Sequence, residues 1–291
     1  MHRRSAPGAV CRLLGLLGGR VASARPWLVE SDASLFAQSN VTPETAQKDG
    51  WGIAWYEDTR VALIEKGVRG AFEPEERDRF RAVADRAHGP VVVAHLRSAS
   101  NPMGLPRSRL LALENSQPFG YESLLFAHNG QVTLPRETRP RLGKFESRLR
   151  GLNDSEVLFW LLVKHLEATG DPLAAYVRSR EEIREVWDER HPRTEVPYSG
   201  LNVLFSRGPN EIWAFCHWLG EHGPGLLTRD RPYYEMGYRT DSRMLLIGSE
   251  RFESGPGDWR PLRNGSYLHG FIEHGLVGIT TGLLPDPGDR S

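Results

Sequence analysis

The chain has 291 residues, 39% hydrophobic and 25% charged, enough apolar material for one large domain or two small ones. Its 37 basic and 37 acidic residues cancel, so nothing global points to a nucleic-acid or membrane-surface partner, though a local basic patch stays compatible with the balance. Two cysteines, Cys11 and Cys216, make neither a disulfide framework nor a zinc motif, and free thiols fit a reducing, cytoplasmic setting.

In chain order, His2, Arg3 and Arg4 could open a signal peptide, but residues 5–10 hold no apolar core and the run 13–17 is short and broken by Gly15. No stretch approaches the roughly 18 apolar residues of a membrane-spanning helix. Residues 12–17, 52–56, 61–65, 91–96 and 123–127 are short, β-leaning and mostly bounded by Gly, Asn, Asp or Pro, which predicts strands. Residues 74–86 are charged with apolar positions at Phe80, Val83 and Ala84, which predicts a surface helix. Residues 155–168 form a second helix with Val157, Leu158, Leu161, Leu162 and Leu166 on a broad apolar face and Asp154 placed to cap it. A charged helical stretch follows at 172–187. Strands return at 202–206, 212–217, 234–238, 244–248 and 266–271, with loops at 192–197 and 221–232. Strands, then helices, then strands suggest two sheets with helices outside, in one domain over 11–284, after a leader at 1–10 and before a frayed tail at 285–291.

Cys11 opens the first strand. A cysteine there is ordinarily a small buried hydrophobe, and Cys216, after the apolar run from Ile212 to Phe215, is read that way. Cys11 has a second reading. An α-amino group has an ordinary pKa of roughly 7.7–8.0, close to the optimum for a general base at neutral pH. A cysteine at a mature N-terminus therefore carries nucleophile and base in one residue, as N-terminal threonine does in other hydrolases. That chemistry requires residues 1–10 to be absent.

Four further motifs carry candidate chemistry. Asp49-Gly50-Trp51-Gly52-Ile53-Ala54-Trp55 allows a tight turn into a strand. In His95-Leu96-Arg97-Ser98 an apolar strand runs into an arginine that can either clamp a carboxylate or pair with an internal acid. Glu114-Asn115-Ser116-Gln117-Pro118-Phe119 is a polar loop closed by proline. In His128-Asn129-Gly130-Gln131 the Asn-Gly pair either turns a hairpin or supplies an amide and a backbone N–H to an oxyanion. Asp154 follows about one loop later, where it reads as a helix cap. No metal or nucleotide motif accompanies them, and the chemistry needs no cofactor.

Taken in order, Cys-Arg-Leu-Leu-Gly, Asp-Gly-Trp-Gly-Ile-Ala-Trp-Tyr, His-Leu-Arg, Glu-Asn-Ser-Gln-Pro-Phe, His-Asn-Gly-Gln and Asp-Ser-Glu resemble the class II glutamine amidotransferases. These are a branch of the N-terminal nucleophile hydrolases. The likeness is greatest to the small stand-alone type, which includes the amidohydrolase of ergothioneine biosynthesis. The resemblance is specific from Cys11 to about Leu166 and looser to about Phe271. It implies an α+β fold, a four-layer αββα sandwich of two antiparallel sheets. It implies Cys11 as nucleophile and, through its amine, base; Asn129 and the Gly130 N–H as oxyanion donors; Arg97 for the α-carboxylate of glutamine; and Asp154 for its α-ammonium.

Two departures stand out. Many relatives carry histidine where this sequence has Gln117. Relatives also often begin Met-Cys, whereas here Val10 precedes Cys11. Either translation starts at Val10 from a valine-type start codon, or residues 1–10 are a propeptide. The patternless leader favours the first.

The function expected is cleavage of the γ-amide of glutamine through a thioester, with hydrolysis of another γ-glutamyl amide or a non-catalytic binding module as alternatives. Ammonia passed to an acceptor would need a separate synthetase as partner.

Overall fold

The structure, a computed structural model, describes residues 11–57, 61–101, 103–190, 193–253 and 258–285. The leader expected at 1–10, the start of the loop at 192–197 and most of the tail therefore lie outside the described residues. Within them run thirteen strands: β1 (Arg12–Ser23), β2 (Trp51–Trp55), β3 (Leu63–Gly67), β4 (His88–Leu96), β5 (Phe119–Tyr121), β6 (Leu124–Val132), β7 (Tyr198–Ser206), β8 (Glu211–Cys216), β9 (Met236–Thr240), β10 (Met244–Gly248), β11 (Arg260–Leu262), β12 (Ser266–Glu273) and β13 (Leu276–Leu283). The long helices are α1 (Pro74–Arg86), α2 (Asp154–Thr169) and α3 (Pro172–Arg190).

The strands form two antiparallel sheets, one in the order β11-β9-β10-β1-β4-β2-β3 and the other in the order β13-β12-β8-β7-β6-β5. Strand alternation explains why they stack. On β1, Leu13 and Leu17 face the second sheet and, with Val91 and Val93 of the neighbouring β4, pack against Leu204 and Ile212 across the layer between the sheets. Leu14 and Leu16 point the other way, into a layer with Trp51, Val92 and the Phe80, Val83 and Ala84 face of α1. On the far side of the second sheet, Phe126, Val203 and Phe205 pack on Leu158, Leu161 and Leu162 of α2 and on Tyr176 and Ile183 of α3. Each such large side chain taken from water contributes about 1.5–3 kcal/mol. Three apolar layers separate four layers of structure, the αββα order.

The helix expected at 74–86 and the strand expected at 244–248 fall where the pattern put them. β1 runs on to Ser23, beyond its expected end at 17, because β4 and β10 pair with it on both sides and its glycines are absorbed in a shift of register between Leu17 and Ala22. The strand expected at 234–238 begins at Met236, which leaves Tyr233 and Tyr234 in the preceding segment. β13 shows no alternating signal: Gly278, Thr280, Thr281 and Gly282 dilute it, and its pairing with β12 defines it.

Candidate active site

β1 pairs with β4 so that Arg12 lies opposite Leu96, which sets Cys11 beside the segment leaving β4. There the Cys11 thiol faces the Ser98 backbone, with Sγ 3.4 Å from the carbonyl oxygen and 3.5 Å from the amide nitrogen. The residue is 8% exposed, and burial pushes its thiol up to about 11, against the opposing pull of the Ser98 bond and of Arg97 and Arg12. At neutral pH this sulfur holds its proton, so any attack needs a base.

Arg97 is buried at the end of the same turn. Its Nη1 donates to the carbonyls of Asp49 (3.2 Å) and Leu110 (2.9 Å), and among the described residues it forms no ion pair. The internal-acid alternative is thus not what the fold uses. A neighbouring acid, Asp49, has other work: it accepts from the Ala99 amide at 2.8 Å and from Arg107 Nη2 at 2.6 Å. Asp49 therefore ties both ends of the 98–107 segment to β2. Sequence reasoning quoted Asp49 in its motif without giving it a role; only the fold brings Arg107 to it.

Asn129 faces the layer between the sheets, on the side of β6 that also carries Leu125 and Ala127. The Asn-Gly pair makes no hairpin. β6 continues through it to Val132, with an irregularity after Gly130 that takes up one residue against β7. Gly130 sits at φ 153, and a Cβ there would fall onto the Gly200 carbonyl. Gly130→Ala is expected to cost at least ~2 kcal/mol in chemical denaturation; an unchanged midpoint would refute this packing.

The Asn129 amide is fully buried, yet among the described residues neither its nitrogen nor its oxygen has a hydrogen-bond partner. Its cross-strand neighbour Asn202 is also buried and is satisfied at both ends, by Tyr234 O (2.6 Å) and His217 N (3.0 Å). An unpaired buried amide is costly and uncommon in a finished core. Its surroundings are fixed with care. Gln117 accepts from the His128 amide (2.6 Å) and donates to the His128 carbonyl (3.2 Å), so it pins the strand one residue before Asn129. The His128 ring, pushed down to about 4 by burial, is neutral: Nε2 donates to Gly200 O at 3.0 Å, and Nδ1 accepts from Ser155 Oγ at 2.9 Å.

Asp154 stands at the first turn of α2 but does not cap it. Asn153 does, accepting from Ser155 N at 2.9 Å. The extended, non-helical backbone of residue 153 suits a cap, which releases the Asp154 carboxylate to accept from Val132 N (2.8 Å) and Ser100 Oγ (3.2 Å). Burial pushes this carboxyl up to about 6, partly offset by those bonds. Asp154 and Arg97 both act electrostatically on Cys11, so the fold gathers the three. The loop motif around Asn115 is scaffold: Asn115 holds Leu110 O (3.1 Å) and Leu152 N (2.6 Å), joining the Arg97 side of the site to the start of α2.

Two antiparallel sheets stacked between helices, with a buried thiol at the residue before the central strand β1, make an αββα sandwich. The profile of the family described as Glutamine amidotransferases class-II matches residues 27–244. The chain belongs to that family. It is 29% identical over 241 residues to "Putative glutamine amidotransferase YafJ" of Escherichia coli (strain K12), covering 73% of this chain and 84% of that protein. It is 27% identical over 135 residues to "Probable glutamine amidotransferase DUG3" of Saccharomyces cerevisiae, covering 43% of this chain and 35% of that one. Among solved structures, a glutamine aminotransferase class-II domain protein from Silicibacter pomeroyi superposes with a TM-score of 0.62 at 20% identity, over 95% of this chain and 100% of that one. The glutamine phosphoribosylpyrophosphate amidotransferase of B. subtilis gives 0.58 at 14% identity, over 94% of this chain and 49% of that one. These two show the shared fold. Among the described residues no helix is long and apolar enough to cross a membrane.

Proposed function

We propose that this protein cleaves the γ-amide of glutamine or of a related γ-glutamyl compound, with Cys11 as the mature N-terminus of one domain spanning 11–284. The observation that carries the reading is the Asn129 amide, buried and among the described residues unpaired, while its cross-strand neighbour Asn202 is bonded at both ends. An oxyanion supplies the missing acceptor for its N–H, and the Gly130 amide gives a second donor. The Cys11 α-amine takes the thiol proton, and Sγ bonds to the carbonyl carbon of the γ-amide. The C–N bond then breaks as the amine returns that proton to the leaving nitrogen, and water releases glutamate from the thioester. Arg97 holds the α-carboxylate and Asp154 the α-ammonium, a cation and an anion matched to an amino acid. Ammonia would leave to solvent or to a separate synthetase.

The test is the intact mass of the purified protein before and after 6-diazo-5-oxo-L-norleucine. Loss of residues 1–10 and one covalent adduct on Cys11 is the expected result. A trimmed protein that takes no adduct would count against glutamine as the substrate, and a full-length protein with full glutaminase activity would defeat the mechanism.

The Asp154 carboxyl gives this reading a pH signature. Its pKa is raised to about 6, so it is an anion at pH 7 and gains a proton as pH falls through 6. Its hold on an ammonium weakens in that window. KM for glutamine should rise about tenfold between pH 7 and pH 5. Asp154→Asn should raise KM at both pH values and flatten the profile; a KM that is level in the parent enzyme would rule out this role.

A further inference from the structure

Arg12 is fully buried, yet among the described residues it forms no ion pair. Nη1 donates to the Cys11 carbonyl at 3.2 Å, and the Tyr233 ring covers the guanidinium face with its centroid 4.4 Å from Cζ. Among the described residues Nε and Nη2 have no partner. Those two nitrogens form one edge of the guanidinium, the edge that grips a carboxylate with two parallel hydrogen bonds. A buried cation whose bidentate edge is unused calls for an anion from outside the protein.

The side of the site on which Arg12 lies indicates which anion. In the first sheet, β4 and β10 flank β1 on opposite sides. Arg97 comes from the β4 side. On the β10 side, Ser249 binds Leu13 through its amide and its hydroxyl, both at 3.1 Å. The next residue, Glu250, is spent on the amides of Leu226, Leu227 (3.2 Å) and Thr228 (3.0 Å). That tether holds the segment that ends in Tyr233, over Arg12, and Tyr234, whose hydroxyl lies 3.0 Å from Ser199 Oγ. If a γ-glutamyl compound has its amide carbon at Cys11 Sγ and its amino-acid end at Arg97, on the β4 side, then the β10 side, where Arg12 and Tyr233 lie, is the opposite side and open to its leaving group.

We infer that Arg12 is a specificity-determining residue that binds a carboxylate on the leaving group, so that the preferred substrates are γ-glutamyl amino acids or peptides rather than glutamine. This rests on the γ-glutamyl hydrolase reading above. The reaction is the same: the C–N bond of the γ-amide breaks, the thiol proton goes by way of the α-amine to the nitrogen of the departing amino acid, and water frees glutamate. Arg12 takes no part in those bond changes.

The test compares kcat/KM for γ-L-glutamylglycine, γ-L-glutamylglycinamide and L-glutamine, using protein purified after full-length expression and shown by mass to begin at Cys11. The first two substrates differ only in the terminal carboxylate. The glycine compound should be favoured over the glycinamide on the order of tenfold or more. In Arg12→Gln that ratio should fall toward one, and Arg12→Lys should restore part of it. A role confined to holding the fold would depress both substrates together and leave the ratio intact, which would overturn the inference. Equal turnover of the two by the parent enzyme would do the same while leaving the γ-glutamyl reading standing. No turnover of any of the three would remove that reading and this one with it.

Discussion

A protein that keeps residues 1–10 should turn over glutamine about a thousandfold or more slowly than one beginning at Cys11. The expectation follows from where the protons sit. Burial pushes the Cys11 thiol up to about 11, so thiolate is scarce at pH 7.5 and a base must act in the step itself. In the uncleaved protein the Cys11 nitrogen is an amide and cannot serve. The buried imidazoles cannot replace it: burial drives His95 down to about 3 and His128 to about 4, and both His128 nitrogens are already bonded. Asp154, which acts electrostatically on Cys11, has its carboxyl raised to about 6, in the useful range, but its oxygens are held by Val132 N and Ser100 Oγ. The measurement is glutaminase activity of two preparations, one with an uncleavable leader and one trimmed to Cys11, each verified by mass. Comparable rates would sink the α-amine as base. If the uncleaved protein kept a rate that Asp154→Asn abolished, Asp154 would be the base instead.

Much of this architecture could be read from the sequence, and the misses have physical causes. The helix at 74–86 was legible because Phe80, Val83 and Ala84 repeat at helical spacing and a proline opens it. The stacked sheets were legible from the order of strand-like and helix-like blocks together with the six motifs. β13 was not, because its identity comes from the partner strand rather than from its own alternation. At the site, Cys11, Arg97 and Asp154 were named from sequence, and the fold brings them within electrostatic reach of one another. What could not be read is how neighbouring residues divide the work. Asn153 takes the cap and thereby frees Asp154. Gln117 spends its amide on the His128 backbone. Asp49 meets Arg107 across 58 positions of sequence. Arg12 looked like one more strand residue; its significance appears only when its unused edge is set against the occupied face and Nη1.

The second large effect expected is at Asn129, where activity and stability should part company. Asn129→Ala should lower kcat by about a hundredfold to a thousandfold while KM for glutamine moves little, since an oxyanion donor acts on the transition state more than on the bound amide. A residue kept for packing would lose stability when truncated. Here the substitution removes two buried polar atoms that have no partner among the described residues, so the denaturation midpoint should hold or rise. Asn202→Ala is the control on the next strand. Its amide bonds Tyr234 O and His217 N, so truncation strands two groups and should cost about 1–3 kcal/mol. Two asparagines paired across one ladder should thus give opposite signatures, an inactive but stable variant and an unstable one. If Asn129→Ala unfolded as readily as Asn202→Ala, its amide would be bonded in solution and its assignment to the oxyanion would fail. A stable Asn129→Ala with full kcat would remove the oxyanion role as well, and with it the observation on which the amidase reading chiefly rests.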